Sequence, residues 1–410
     1  MNASPRRNAI CLASDQNYID YTYVTVLSIS EHASKDNHYE IVILSSGVLE
    51  YKKQIFYELN SENFTVRFVD MEKYIEQTGM NTFFLSRHIS MATYFRYFIP
   101  EIFSDYDRVL YMDGDVIAQE DVADLFSFNM DGRMLGVVVE ADAPLFPESR
   151  KTYHTNQLLI DSDQYFCAGI LLYNIPVCLA ENLQENCFET QARLVNPPLH
   201  DQDVLNSVTF GRNVVLPTRW HLMLWIYSAK NLDRLKQHSP ANHDDYSAAA
   251  ETPALLHFGG SVKPWKNPSL PFADLWWNVA RKTPFYERFL ADVTQYQIST
   301  AINELKKHVS LLTEKLDNDL KNHVSLLTEN QDKALAAIKT DLQTMKEEEK
   351  AARSRALRAT ILSSKRNSLK FRYALYRLLS KVTGGKLRKK LLTKRHELKA
   401  QLDFLKRCAQ

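Results

Sequence analysis

The chain has 410 residues, of which 45% are hydrophobic and 24% charged, with only 11 glycines and 14 prolines. This composition excludes collagen-like, low-complexity and wholly disordered proteins, and the length suffices for one large globular core or two smaller ones. The net charge of +1 hides a segregation, because residues 351–410 carry 18 Lys and Arg against two acids, while the remainder has a net charge of −15.

The first 140 residues alternate short apolar runs of the strand type with helical patterns, which predicts βαβ units and a mostly parallel sheet. The predicted strands are residues 9–13, 39–44, 64–69 and 108–112, and the predicted helices are residues 23–32 and 91–103. Open sheets of this kind bind ligands at the carboxyl ends of their strands. The residues that follow each strand are therefore the first candidates for a functional site.

Beyond residue 132 the pattern is mixed. Strands are predicted at 135–139, 169–173 and 253–258, with a helix after Pro176. The polar segment 236–251, rich in His, Asp and Ala, is expected to be an exposed loop. Residues 294–350 contain no glycine or proline and are rich in Glu, Lys, Leu, Ala and Asp, which predicts one long helix or two.

The long helical segment contains a repeat, because the sequence Lys-His-Val-Ser-Leu-Leu-Thr-Glu at 307–314 recurs 15 residues later as Asn-His-Val-Ser-Leu-Leu-Thr-Glu. Apolar residues follow a three-four spacing with an inserted step near Leu320, which is typical of a coiled coil with a stutter. They are residues 305, 309, 312, 316, 320, 324, 327, 335, 338, 342 and 345. We expect a homo-oligomer through this helix; the alternative is a solvated helix that packs back on the N-terminal body.

The basic C-terminal tail is the third expected domain, after residues 1–292 and 293–350. Its segment 363–381 mixes Lys and Arg with Leu, Phe and Tyr at helical intervals. Such basic amphipathic helices lie on anionic membrane surfaces. A solvated charged helix and a nucleic-acid-binding helix are the alternatives, and nucleic acid is disfavoured because the acidic body would repel a phosphate backbone.

Cysteine usage and the lengths of the apolar segments favour a cytoplasmic location. The five cysteines form no Cys-x-x-Cys pair, and their odd count does not fit a disulfide framework. No apolar run reaches the length of about 18 residues that a membrane-spanning helix needs. The apolar stretch near the start, residues 9–13, is too short for a secretory signal. We expect a cytoplasmic protein that is peripheral on the inner face of the cell membrane.

The sharpest local motif is Leu-Tyr-Met-Asp-Gly-Asp-Val at 110–116, an apolar strand that ends in Asp113 and Asp115. Carboxylate oxygens suit hard divalent cations such as Mg²⁺ or Mn²⁺, and Gly114 lets the backbone turn so that both acids face one ion. An Asp-x-Asp triplet is common in turns and is weak evidence by itself. The preceding strand strengthens it, because that strand places both acids at the sheet edge where ligands bind.

A second strand, at 253–258, runs into the motif His-Phe-Gly-Gly-Ser-Val-Lys-Pro-Trp at 257–265. His257 offers an imidazole ligand to the same cation, and the glycines allow a phosphate to approach the backbone. Lys263 offers a charge that neutralises such a phosphate. A single histidine at a strand end is more often structural, so its weight comes from the combination.

Two further polar motifs follow predicted strands or open helices. In His-Asp-Gln-Asp-Val-Leu-Asn at 200–206, polar side chains open a predicted helix. Asp201 and Asp203 are candidates for a functional site, but they are also explained as first-turn acids that stabilise the positive end of a helix dipole. In Ala-Ser-Asp-Gln-Asn-Tyr at 13–18, a nucleotide base could lie on Tyr18 with its polar edge on Asp15, although the same residues also form ordinary turns. No Walker loop or Gly-x-Gly-x-x-Gly follows that first strand.

Six motifs occur in one order along residues 9–265: Ala13-Ser-Asp-Gln-Asn-Tyr18, Met91-Ala-Thr-Tyr-Phe-Arg96, Tyr111-Met-Asp-Gly-Asp115, Phe166-Cys-Ala-Gly-Ile-Leu-Leu-Tyr-Asn174, His200-Asp-Gln-Asp-Val-Leu-Asn206 and His257-Phe-Gly-Gly-Ser-Val-Lys-Pro-Trp265. Together they resemble glycosyltransferase family 8, and in particular its bacterial lipopolysaccharide glucosyl- and galactosyltransferases. The resemblance covers about two-thirds of the chain. It implies a GT-A fold, which is a Rossmann-like α/β domain with a mixed sheet, followed here by the helical extension.

The resemblance also implies a metal and a donor. Asp113, Asp115 and His257 would hold manganese, with magnesium as the alternative, between the two phosphates of a UDP-sugar. Lys263 and the backbone at Gly260 would stabilise the UDP leaving group. The remaining residues carried over are Asp15 on the uracil, Tyr18 stacked on it, Ala13 and Asn17 along the nucleotide, and Arg96 and Asp201 at the donor sugar.

Gln202 matches the family residue beneath the anomeric carbon. Because an amide is a poor nucleophile, a route on one face of the sugar, in which the leaving phosphate helps take the acceptor's proton, fits the implied retention better than a covalent intermediate. Asp201 is kept as an alternative nucleophile. Where many members have Asn in the Phe-Asn-Ala-Gly motif, this chain has Cys167, which leaves the identity of the sugar open.

The sequence thus predicts a retaining hexosyltransferase that moves glucose or galactose from UDP to a lipid-linked saccharide, either lipopolysaccharide core or a related surface glycan. Two alternatives stay open. One is a self-glucosylating initiator similar to glycogenin, and the other is a non-catalytic scaffold that keeps the fold.

Overall fold

The structure is a computed structural model that describes residues 7–78, 91–194, 197–348, 352–382 and 384–407, with side chains except at 342–348 and 352–357. The chain is divided into two compact units, Met1–Gln297 and Ile298–Gln410. The first unit therefore contains every candidate site residue of the sequence. Leu342 and Met345 of the predicted coiled coil, and Cys408, lie outside the described side chains.

Ten strands occur in the described residues, and seven of them form one sheet in the order β3-β2-β1-β4-β7-β6-β8. The strands are β1 (Arg7–Asp15), β2 (His38–Ser46), β3 (Phe64–Asp70), β4 (Arg108–Met112), β5 (Val116–Ala118), β6 (Leu135–Val137), β7 (Ile170–Asn174), β8 (Asn213–Val215), β9 (Leu222–Met223) and β10 (Leu255–His257). Strands β1 to β4 are mutually parallel, whereas β7 runs antiparallel to β4 and β6. A second sheet has the order β5-β10-β9.

The α-helices are α1 (Ile19–His32), α2 (Glu50–Tyr57), α3 (Met71–Thr78), α4 (Ile99–Ile102), α5 (Glu148–Tyr153), α6 (Ile175–Ala180), α7 (Leu183–Leu194), α8 (Asp201–Thr209), α9 (Ala229–His238), α10 (Pro240–Glu251), α11 (Ala273–Ala280), α12 (Tyr286–Glu348), α13 (Ala352–Val382) and α14 (Gly385–Arg407). Short 3₁₀ segments occur at Met91–Phe98, Val122–Ser127, Ala143–Leu145, Ser162–Gln164 and Thr218–His221. A short π-helix lies at His154–Leu158.

The large sheet is covered on both faces, as its continuous apolar strands require. Successive side chains of β1 point to opposite faces, so Ile10 and Leu12 enter one apolar cluster while Ala9 and Cys11 enter another. Full burial of an aliphatic side chain of this kind contributes about 1.5–3 kcal/mol. The mixed α/β sheet predicted from the sequence is therefore confirmed, including the parallel arrangement of its first four strands.

Helices also form where the sequence predicted a loop, and that prediction was wrong. Residues 236–238 are the end of α9, and residues 240–251 form α10. Pro240 occupies the start of α10, where its fixed backbone torsion favours a helix and its missing N–H costs nothing. Tyr246 is buried and donates a hydrogen bond from its hydroxyl to the Met223 carbonyl at 2.7 Å. This anchor and the alanines outweigh the polar composition.

The predicted helix at 91–103 is divided between the 3₁₀ segment and α4, and the predicted strand at 135–139 ends at Val137. The long C-terminal helices are present as expected. Within the second unit, α13 and α14 pack on each other through a small apolar cluster centred on Leu369, Leu398 and Leu402. None of the helices in the described part of the chain combines the length and the apolar character needed to cross a membrane.

Candidate active site

The two strand ends that carry the candidate metal ligands meet at one point. Asp113 follows β4, and Asp115 directly precedes β5. Strand β10 pairs antiparallel with β5, so that His257 lies opposite Val116. The backbone N–H of Phe258 donates to the carbonyl of Asp115 at 3.0 Å. The second sheet therefore places His257, which is more than 140 residues further along the chain, beside the paired acids.

The side chains of Asp113, Asp115 and His257 lie close together. Nε2 of His257 is 3.2 Å from Oδ1 of Asp115 and 3.7 Å from Oδ2 of Asp113. One ligand atom from each of the three residues lies within 4.8 Å of the others. The convergence expected from the sequence is thus observed, and two carboxylates with one imidazole suit a divalent cation of the manganese or magnesium type.

Basic side chains hold the two acids in place. Lys263 contacts Oδ2 of Asp115 and donates to the Phe258 carbonyl at 2.8 Å. Nη2 of Arg96 lies 3.1 Å from Oδ1 of Asp113. Burial alone would raise the pKa of Asp115, but the charge of Lys263 and the hydrogen bonds from His257 and Lys263 outweigh it and hold that pKa below its usual range. Asp115 is therefore ionised at neutral pH.

Two cavities share the acids. The first, of about 280 Å³, contains the predicted nucleotide residues Ala13, Asp15 and Tyr18 together with Arg96. The second, of about 410 Å³, contains Gln202, Gly260, Cys167 and His257. Asp113, Asp115 and Lys263 line both. Asp113 and Asp115 therefore stand at the boundary between the cavity with the predicted nucleotide residues and the second cavity, which His257 also lines.

Two predicted residues lie away from these cavities. Asn17 is exposed, and its backbone N–H donates to Oδ1 of Asp15 at 2.9 Å, which closes the turn after β1. Asp201 is buried behind Arg96, with its Oδ2 2.9 Å from Nε of that guanidinium. Burial raises the pKa of Asp201 to about 7. Neither residue is among those that line the cavities.

Gln202 is held on three sides. Its Oε1 accepts from the Ala168 N–H at 3.0 Å, and its Nε2 donates to Glu140 at 3.0 Å and to the Tyr165 hydroxyl at 3.1 Å. These partners orient the amide in the second cavity. The neighbouring Asp203 has a structural role instead, because it accepts from the Tyr165 hydroxyl at 2.6 Å and from the Leu199 N–H at 3.0 Å.

Glu140 and His221 were missed from the sequence. Glu140 is buried in the second cavity beside Arg150, and burial raises its pKa to about 8. It comes one residue after the predicted strand 135–139, so the strand-end rule could have found it. Nε2 of His221 lies 2.8 Å from Nδ1 of His257. No motif in the sequence indicated that pair.

The fold matches solved glycosyltransferases. The apo structure of the bifunctional glycosyltransferase WbbM superposes with a TM-score of 0.62 at 23% identity, over 71% of this chain and 53% of that one. The chain thus spans about half the length of that neighbour. The likeness shows the fold, and the GT-A type of mixed α/β domain expected from the sequence is confirmed.

Sequence comparison gives the family. A model described as Glycosyl transferase family 8 matches residues 9–268, and the chain belongs to that family. Glycosyltransferase GlyF of Streptococcus pneumoniae serotype 4 is 27% identical over 319 residues, which are 76% of this chain and 70% of that protein. Lipopolysaccharide 1,3-galactosyltransferase of Salmonella typhimurium is 28% identical over 233 residues, which are 54% of this chain and 65% of that protein.

Proposed function

We propose that the chain is a retaining hexosyltransferase that moves glucose or galactose from a UDP-sugar to lipopolysaccharide core or a related surface glycan. Family membership supports glycosyl transfer, and the relative named as a lipopolysaccharide galactosyltransferase supports this donor and acceptor class. The observation that carries the proposal is the convergence of Asp113, Asp115 and His257 between two cavities.

The residues present fit a divalent cation, because oxygens of two carboxylates and one imidazole nitrogen are within reach of one ion. We propose Mn²⁺, with Mg²⁺ as the alternative, held by Asp113, Asp115 and His257. When bound, such a cation neutralises a diphosphate and stabilises the charge on a departing UDP. Lys263 lies at the same boundary and supplies a second positive charge to that leaving group.

Arg96 acts through the acids in this proposal. Its guanidinium is buried over the ring of Tyr111, and it joins Asp113 on one side to Asp201 on the other. That bridge fixes the carboxylate of Asp113 before a donor binds. Asp201 is paired with Arg96 and does not line either cavity, which favours an orienting role for this residue over a nucleophilic one.

The retaining course is proposed from Gln202. An amide held by Ala168, Glu140 and Tyr165 cannot form a stable covalent glycosyl ester, and it can donate or accept hydrogen bonds at the sugar. The leaving phosphate then takes the proton of the acceptor hydroxyl on the same face of the sugar. This step leaves the configuration of the anomeric carbon unchanged.

Calorimetry with UDP tests the proposal. With Mn²⁺ we expect UDP to bind at least about tenfold more tightly than in the presence of EDTA, a difference of about 1.4 kcal/mol. A screen that measures release of UDP should then give turnover with UDP-glucose or UDP-galactose and an added saccharide acceptor. Binding without any dependence on metal would favour the scaffold, and glucose linked to a tyrosine of the purified protein would favour the self-glucosylating initiator.

We further propose that the basic C-terminal helices hold the enzyme on the inner, anionic face of the cell membrane, in the cytoplasm. The net charge of the tail supports this, because residues 351–410 contain 18 Lys and Arg but only two acidic residues. The hairpin of α13 and α14 uses part of its apolar surface internally, yet it leaves Phe371, Leu378 and Val382 more than half exposed. These side chains are available to enter the headgroup region.

Co-sedimentation with phosphatidylglycerol vesicles tests the membrane proposal. Reversing four exposed charges of α14 should abolish pelleting: Lys386→Glu, Arg388→Glu, Lys389→Glu and Lys390→Glu. Each removed cation near an anionic surface costs about 1 kcal/mol. The matched control reverses four exposed lysines of α12 and should still pellet: Lys306→Glu, Lys307→Glu, Lys315→Glu and Lys321→Glu. Equal pelleting of both variants would reject the tail as the anchor.

We also propose that the chain self-associates through α12. An apolar stripe with alternating steps of four and three residues is exposed there, consisting of Ile298, Ile302, Leu305, Val309, Leu312 and Leu316. That spacing is typical of the apolar seam of a coiled coil. Light scattering should give a dimeric mass that Leu305→Lys with Leu312→Lys converts to a monomer. Leu311→Lys with Leu326→Lys, at exposed positions off the stripe, should leave the mass unchanged.

A further inference from the structure

The imidazole of His257 has two ring nitrogens, and Nδ1, the one that does not face the paired acids, is near two further polar side chains. Its Nδ1 lies 2.8 Å from Nε2 of His221 and 3.9 Å from Sγ of Cys167. One ligand atom from each of the three residues lies within 4.8 Å of the others. From this geometry we propose that Cys167, His221 and His257 form a second metal site, for a thiophilic divalent cation of the zinc class, and that its occupation opposes metal binding at Asp113 and Asp115.

Two of the three separations between the ligand atoms are close to what zinc requires. Zn–N bonds of about 2.0–2.1 Å and a Zn–S bond of about 2.3 Å in a tetrahedral site place two nitrogens about 3.3 Å apart and a sulfur about 3.6 Å from a nitrogen. The observed separations of 2.8 Å and 3.9 Å differ from these by about half an ångström or less. The ligand atoms of Cys167 and His221 lie within 4.8 Å of each other, so small side-chain rotations would bring all three ligands to bonding distance of one cation.

The fold holds the three ligands rigidly. His221 ends a 3₁₀ segment immediately before β9, and β9 runs parallel to β10 so that Met223 lies beside His257. Cys167 follows the bridge between Val139 and Phe166 and precedes β7. All three side chains are at most 5% exposed. A cation would therefore find nitrogen and sulfur ligands on side chains that the surrounding fold holds buried.

The ligand types select a different cation from the one proposed for the acids. A thiolate and two imidazoles favour zinc, cobalt or cadmium, whereas carboxylates favour manganese and magnesium. Cys167 decides this difference, because the asparagine amide common at its place in the resembled motif offers no sulfur. When the cation binds, the Cys167 thiol gives up its proton to solvent, so one proton is released for each thiolate–metal bond formed.

The two sites compete for one ring. A neutral imidazole has a single nitrogen lone pair and a single N–H. A cation on Nδ1 of His257 places the ring proton on Nε2, which then donates to Oδ1 of Asp115 at 3.2 Å and cannot bind a metal there. Conversely, a metal on Nε2 leaves the proton on Nδ1, where it is donated to Nε2 of His221. This antagonism rests on the proposed function of the acids, whereas the second site itself does not.

Cobalt spectroscopy tests the second site without any turnover. Co²⁺ is titrated into metal-free protein that carries Cys408→Ser, and the near-ultraviolet band of thiolate-to-cobalt charge transfer is recorded. We expect the band to saturate at one Co²⁺ per chain and to disappear in Cys167→Ser. The matched control is Cys187→Ser, a buried cysteine outside the ligand clusters of the described residues, and it should keep the band.

A band that is absent at one equivalent, or that survives Cys167→Ser, would overturn the site. If Cys167→Ser does not fold by circular dichroism, His221→Phe gives the same comparison, because it removes a nitrogen ligand while Cys167 remains. In that variant we expect the cobalt affinity to fall at least about tenfold. An unchanged affinity would show that the two histidines are only hydrogen-bonded partners.

Manganese binding then tests the antagonism. Electron paramagnetic resonance of free Mn²⁺ should show that one equivalent of Zn²⁺ weakens Mn²⁺ binding at least about tenfold in the parent protein and much less in Cys167→Ser. An equal effect in both would mean that zinc competes directly at the acids, which contradicts the antagonism. A protein that shows the cobalt band but binds neither Mn²⁺ nor UDP would overturn the proposed function and leave the second site standing.

Discussion

Asp115→Asn is expected to lower kcat/KM for sugar transfer by about 10³-fold or more while the protein remains folded. The substitution keeps the shape of the side chain and removes one of the three proposed metal ligands. It also removes the negative charge that Lys263 contacts. Loss of about 4 kcal/mol of charge stabilisation in the transition state corresponds to about 10³ in rate. Steady-state kinetics over a range of Mn²⁺ concentrations measures the effect.

Stability provides the internal check on that result. Lys263 would keep its bond to the Phe258 carbonyl but lose its charged partner, which costs about 1–3 kcal/mol in the free energy of unfolding. Asp124→Asn is the matched control, since Asp124 is exposed and lines neither cavity. It should change neither kinetics nor unfolding. Wild-type activity in Asp115→Asn at low Mn²⁺ would refute the metal assignment.

The architecture around the site was predictable because it depends on local patterns. Continuous apolar runs predicted the parallel strands, and the predicted strand 108–112 has the bounds of β4 itself. The rule that ligands bind at strand ends then selected Asp113 and, through the family motifs, His257. The position of a polar residue that directly follows an apolar strand can therefore be predicted from the sequence alone.

Residues that meet only through long-range packing gave no such signal. His221 comes near His257 because β9 lies alongside β10, a pairing of strands with only two and three residues. Strands so short have no periodicity from which to predict them. The helices at 229–251 were missed for a related reason, since buried Tyr246 stabilises α10 through tertiary contacts that its polar composition conceals.

The geometry of the candidate metal site also depends on the absence of a side chain at Gly169. A Cβ atom added at Gly169 would collide with Cε1 of His257 and lie 2.8 Å from its Nδ1 and 2.9 Å from Oδ2 of Asp113. The carbonyl of Gly169 also accepts the N–H of Asp113 at 2.8 Å, which ties the two segments together. Only glycine therefore allows the imidazole and the first acid to stand this close.

Gly169→Ala is expected to displace His257 and to reduce kcat/KM by about 10²-fold or more at low Mn²⁺, at a cost of about 1–3 kcal/mol in stability from overpacking. Both acids remain, so high Mn²⁺ should restore part of the activity, unlike in Asp115→Asn. Gly384→Ala, where an added Cβ meets nothing within 4 Å, is the control. A Gly169→Ala enzyme with unaltered Mn²⁺ dependence would show that His257 is not a ligand, because the ring cannot keep its position beside that methyl group.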